Sequence, residues 1–142
     1  MTPVELGKRA RACNHFRWMP GMRATEEAGG YDPHLCEADF GFRRPDDRSN
    51  LPYAGDPEAV PDLNDPATLG CILALVREAW ADPRIHAAPA LYSHESPPEY
   101  QYTISHWHVY SPGPYDSTKW LKCDVVGKTE AEALVKALEA AP

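Results

Sequence analysis

His106 and His108 are the residues best spaced for chemistry. Two histidines at i and i+2 on an extended strand leave the same face, as zinc ligands on a sheet do. A third ligand would come from His94, Glu95, Glu99 or the Cys123-Asp124 pair, and the product would be a metal-dependent hydrolase. The same imidazoles equally suit a half-buried sheet face beside Tyr102 and Tyr110. The sequence holds no H-E-x-x-H, no G-x-S-x-G elbow and no G-x-x-x-x-G-K-S/T loop, so no named hydrolase or phosphate-loop class is supported. Cys13, Cys36, Cys71 and Cys123 form no C-x-x-C pair, which argues against a zinc ribbon or a thioredoxin-like motif. The expectation is a protein that binds, with no cofactor and with zinc as the alternative.

The binding residues expected are Arg17, Trp18, Arg23, His106, Trp107, His108 and Tyr110. Indole and phenol faces stack on bases, and arginines hold phosphates by paired N–H donors. Trp120, Tyr102 and Tyr115 add to the aromatic count. Packing against helices is the plainer use of the same tryptophans, and a protein interface is a third, because Trp, Tyr and Arg concentrate there too.

The charge is distributed unevenly. The chain has 142 residues and a formal net charge of −7, which argues against general nucleic-acid binding. Lys8, Arg9, Arg11, Arg17 and Arg23 face Glu5 alone in residues 1–25, whereas residues 26–65 hold eleven acids against Arg43, Arg44 and Arg48. Two solvated faces of opposite sign account for this; a cationic patch for a phosphate or an acidic partner is the functional reading. No signal peptide or 18-residue apolar run is present, so a cytoplasmic protein with reduced thiols and no membrane contact is expected.

The elements that must position these residues start from the central helix. Asp65 is its N-cap and Pro66 its first residue. Leu69, Ile72, Leu73, Val76 and Trp80 form one stripe along it, with Cys71 packing near that stripe, and Asp82-Pro83 ends it. Before it, Thr2-Pro3-Val4-Glu5 opens a first helix as a capping box, weakened by Gly7 and ending near Asn14. Phe16, Trp18 and Met22 around Pro20-Gly21 suggest a strand or tight turn that folds back on the core. A short hairpin fits 31–42, and 43–62 reads as loop, so 25–64 is an irregular Pro/Asp-rich insertion. After the central helix, strands are expected at 85–92, 100–110 and 119–126, the last two as an antiparallel hairpin. Thr129-Glu130-Ala131-Glu132 then opens a last helix as another capping box, with Ala131, Leu134, Val135 and Leu138 on its apolar stripe. The expectation is one α+β domain over 1–142: a small antiparallel sheet with helices packed against it, ordered helix, loop or short strands, helix, three strands, helix.

The segments Phe16-Arg17-Trp18-Met19-Pro20-Gly21-Met22 and Asp65-Pro66-Ala67-Thr68-Leu69-Gly70-Cys71, together with Thr129-Glu130-Ala131-Glu132-Ala133-Leu134, resemble small accessory proteins encoded by bacteriophages and prophages. The resemblance covers under half of the chain and implies an origin. It points to a host-defence antagonist that sequesters a small nucleotide signal or masks a host protein. The expected partner is therefore a small anionic ligand or a host protein, with homo-oligomers allowed by an exposed edge strand.

Overall fold

The computed structural model describes residues 1–25, 34–37, 41–43, 59–91, 103–112 and 123–142. Their contacts divide the chain into two compact units, Met1–Ile72 and Leu73–Pro142, with the boundary inside the central helix. The architecture is α+β in the expected order, but with two antiparallel sheets where one was expected.

In the first unit, helix α1 (Pro3–Ala12) starts as the sequence indicates. The Thr2 hydroxyl accepts from the Glu5 N–H at 3.2 Å, and Glu5 accepts from the Thr2 N–H at 2.6 Å, so the box is complete. Leu6, Gly7 and Ala10 form its buried side. Gly7 does more than weaken the helix: a Cβ there would lie 2.8 Å from the Pro61 carbonyl oxygen, so the bare backbone lets α1 approach strand β4 (Val60–Pro61). Arg11 fastens the same contact by donating to the Ala59 carbonyl at 2.7 Å.

The Pro-Gly turn is also present. The Met22 N–H reaches the Met19 carbonyl at 3.1 Å across Pro20 and Gly21, and Gly21 has φ of 91°. Proline followed by a residue at positive φ makes a type II turn. The turn delivers the fully buried Met22 to the head of strand β1 (Arg23–Thr25). Strands β2 (His34–Glu37) and β3 (Gly41–Arg43) form the expected hairpin, with Cys36 opposite Phe42. Val60–Pro61, expected within a loop, is instead a strand paired antiparallel with β1, and the sheet order is β3-β2-β1-β4. Two residues show no period, and Pro61 has no N–H to give, which restricts such a segment to a sheet edge.

Helix α2 (Pro66–Ala79) is capped as expected, the Asp65 carboxylate accepting from the Thr68 N–H at 2.8 Å. Its C-terminus corrects the sequence reading. Ala81 adopts φ of 50°, while the Asp82 N–H bonds the Arg77 carbonyl and the Ala81 N–H bonds the Glu78 carbonyl, each at 3.0 Å. This is a Schellman termination with alanine in the left-handed position glycine usually takes. The helix is over before Asp82-Pro83 can end it.

In the second unit, β5 (His86–Leu91), β6 (Ile104–Tyr110) and β7 (Asp124–Gly127) form an antiparallel sheet in that order. Helix α3 (Glu130–Glu139) packs on the face that carries Val109 and Gly127. A Cβ on Gly127 would stand 2.4 Å from the Ala133 nitrogen, so here too glycine permits a close approach rather than merely ending a strand. Val109, Leu134, Val135 and Leu138 are fully buried, and sealing side chains of this size stabilises by about 1.5–3 kcal/mol each. The Trp80 indole N–H donates to the Ala137 carbonyl at 2.8 Å, satisfying the one polar atom of a large ring. Thr129 caps α3 by accepting from the Glu132 N–H, but the return half of the expected box is not made. Glu132 instead accepts from the Lys128 N–H at 3.1 Å and pairs with Lys136 at 2.7 Å.

No helix among the described residues is long and apolar enough to cross a membrane. Residues 26–33, 38–40 and 44–58 of the expected insertion, and residues 92–102 and 113–122, lie outside the described part.

Candidate functional site

Strand alternation on β6 decides which of the expected residues share a surface. His106, His108 and Tyr110 occupy one face, and Trp107 and Val109 occupy the other, toward α3. Trp107 lies opposite Gly127 in the register, so it belongs with the packing and not with the histidines.

Register adds two residues to the histidine face. His86 of β5 and Asp124 of β7 stand directly across from Tyr110 on its two sides. The His86 and Tyr110 ring centroids are 4.1 Å apart, and those of His108 and Tyr110 are 4.7 Å apart at 36° between planes. Three rings thus form a contiguous row on a half-exposed surface. Nε2 of His108 meets Oδ1 of Asp124, so the imidazole donates this bond and the carboxylate is held in one orientation. The Asp124 side chain remains 52% exposed. Beyond the rings the face is small and apolar, with Ala88 opposite His108 and Ala90 opposite His106. Val126, also opposite His108, is 47% exposed.

His86 is the residue that sequence reasoning missed. Its only signal was the alternation His86, Ala88, Ala90 within an expected strand; its place beside Tyr110 depends on a cross-strand register that composition does not reveal. Asp124 was considered only as a metal ligand.

The expected metal chemistry can be tested on donor atoms. His108 commits Nε2 to Asp124, and Nδ1 of His106 lies 2.8 Å from the Ser105 hydroxyl, which itself donates to the Ala90 carbonyl at 3.0 Å. With the serine proton used there, the hydroxyl accepts from His106 Nδ1–H. Each ring therefore keeps one nitrogen. Among the described residues no group of three or more His, Cys, Asp or Glu side chains is placed to hold a metal ion. His94, Glu95 and Glu99 lie outside the described residues, as do Tyr102, Tyr115 and Trp120.

Arg17, Trp18 and Arg23 belong to the first unit and are described there by themselves. Trp18 meets Phe16 edge-on, with centroids 5.3 Å apart. Arg17 is exposed. The Arg23 backbone N–H donates to the Thr68 hydroxyl at 2.9 Å, and its Nε stands 3.6 Å from the Asp65 carboxylate that caps α2. A phosphate brought to Arg23 would therefore meet that carboxylate.

A second polar cluster in the Leu73–Pro142 unit is structural. The Arg84 guanidinium donates to both oxygens of the buried Asp82, at 2.9 and 3.1 Å, and the Arg84 N–H adds a third bond at 3.0 Å. Arg84 first, with smaller help from Ser111, holds the Asp82 carboxyl down at about 2 in spite of its burial. Ser111 also accepts from the Cys123 N–H, and burial pushes the Cys123 thiol up to about 11, so it is no nucleophile. Cys71 is partly buried with Sγ toward the Pro20 carbonyl, and partial burial raises its thiol as well.

Nothing among family models, curated proteins or solved structures matches this chain.

Proposed function

We propose that this chain is a phage-type accessory protein that acts by binding, and that it masks a host protein through the face of β5–β7 bearing His86, His108, Tyr110 and Asp124. The row of three rings with its fixed carboxylate is the observation that carries this reading. Rings with few rotatable bonds give contact area at low entropic cost, and they concentrate at protein interfaces. Between masking a protein and sequestering a nucleotide signal, charge favours masking. Asp124 is the one Asp, Glu, Lys or Arg side chain among the described residues of this face, and the whole chain is at −7. A phosphate would be repelled there. The resemblance of the Trp18 and Asp65 segments to phage accessory proteins supplies the setting, a host cytoplasm. Self-association by edge pairing is disfavoured at β5, where Pro89 removes a backbone donor from an edge strand.

Photocrosslinking in the host tests this reading. A photoreactive residue at Val126 should capture one host polypeptide, and the capture should vanish with Tyr110→Ala while the same probe at Glu139 captures nothing. No capture from Val126 would overturn the masking reading, and native mass spectrometry showing a few hundred daltons of ligand released on denaturation would favour the nucleotide-signal reading.

A further inference from the structure

We infer that the outer edge of β7 is a strand-addition site for β7 of a second copy of this chain, and that Lys136 holds it shut. The inference is independent of the masking reading, because it concerns backbone groups at the margin of the sheet and not the side chains of its face. Among the described residues β6 is the only strand paired with β7. The Ser111 N–H bonds the Cys123 carbonyl at 3.0 Å, so Cys123, Val125 and Gly127 are the residues whose peptide groups face β6. Asp124 and Val126 turn theirs outward. Lys136 agrees with that phase. Its ammonium donates to the Val126 carbonyl at 3.3 Å, and Glu132 tethers it there at 2.7 Å.

The opposite margin of the sheet is blocked without such a device. On β5 the same alternation turns Ala87 and Pro89 outward, and Pro89 has no N–H to offer an added strand. No proline interrupts β7, and a second β7 fits its edge by symmetry. Antiparallel pairing about Val125 sets Asp124 of one copy opposite Val126 of the other. Every outward donor then meets an outward acceptor, and four backbone bonds close. The same register keeps the two Asp124 carboxylates from standing directly opposite each other, an arrangement that like charges in a sheet resist. Lys136 occupies one of the acceptors on each copy, hence two of the four bonds. An incoming strand must also displace a strongly hydrated ammonium, which is how a lysine at a strand edge guards against pairing.

Sedimentation velocity of the full chain at about 0.15 M salt, where long-range repulsion is screened, tests this together with amide hydrogen exchange. In the unaltered chain the Asp124 and Val126 amides should exchange fast, and those of Val125 and Gly127 should be protected. Lys136→Met should self-associate about tenfold more tightly, the scale of two regained backbone bonds, and should protect Asp124 and Val126 in the dimer. Lys136→Arg should behave as the unaltered chain. So should Lys128→Met, which removes an equal charge from the residue after β7. Adding Val126→Pro to Lys136→Met should abolish the dimer, since it deletes an outward donor and none of the bonds to β6. Protected Asp124 and Val126 amides in the unaltered monomer would overturn the open edge. A Lys136→Met chain that associates no more tightly would overturn the guard, and a dimer that survives Val126→Pro would overturn the edge as its interface.

Discussion

Asp82 shows how a single side chain ties the fold to pH. Its carboxyl sits at about 2 in the folded chain against an ordinary 3.8, so the charged form is the one the fold prefers. A depressed folded value contributes stability that is complete above about 4 and is lost as pH falls toward 2. In urea unfolding, the unaltered chain should therefore lose stability over that window, and Asp82→Asn should be less stable at neutral pH with a flatter acid limb. An identical acid limb in the variant would mean that other carboxylates carry the effect. Ala81 is the opposite case, a residue in a conformation it does not favour, at φ of 50°. Ala81→Gly should stabilise by about 0.5–1 kcal/mol, since the left-handed penalty on alanine exceeds the entropy glycine loses. A rise in Tm would show it. The sequence revealed neither role: Asp82 read only as the residue before a proline, and Ala81 carried no reading of its own. What decided both was where the chain turned after Ala79.

Among the elements, the helices were the most legible. A capping residue, a first-turn proline and an apolar stripe are local, so Thr2, Asp65 and Thr129 could be placed before any tertiary contact was known. Strands were legible as types, and as partners only where neighbours in sequence pair, as in β2–β3 and β6–β7. The 31–42 hairpin and the three later strands are present, but Val60–Pro61 has no pattern of its own and exists as a strand because β1 pairs with it. Glycines carried a second role that the sequence does not show: Gly127 ends β7 as expected, yet at Gly127 and at Gly7 a Cβ would collide with the backbone of a neighbouring element. Gly127→Ala tests this at the level of the α3–sheet contact. The new methyl group meets backbone rather than a yielding side chain, so a loss of about 1–3 kcal/mol is expected, with β7 and α3 amides losing hydrogen-exchange protection first. Full stability in that variant would show that α3 can move away at no cost.

At the scale of the molecule, composition speaks about partners more directly than about shape. With a net charge of −7 and a sequence pI near 5.3, the chain should show no binding to duplex DNA in fluorescence anisotropy at about 0.15 M salt. Saturable binding there would mean that the cationic segment 1–25 acts alone. Length and periodicity led to an α+β fold in the right order, because those signals follow from local backbone geometry and from the charge each residue carries wherever it lies. They could not say that the strands divide between two sheets, since hydrogen-bond pairing is blind to composition. Alternation along 100–110 already sets Trp107 on the face opposite the histidines, but it could not bring His86 and Asp124 to theirs. By itself the sequence determined the caps, the helices, the strand types, the order and the sign of the net charge. The tertiary structure alone decided the register, and register chooses which rings touch and which carboxylate stands beside them, because a shift of one residue turns every side chain of a strand to the opposite face.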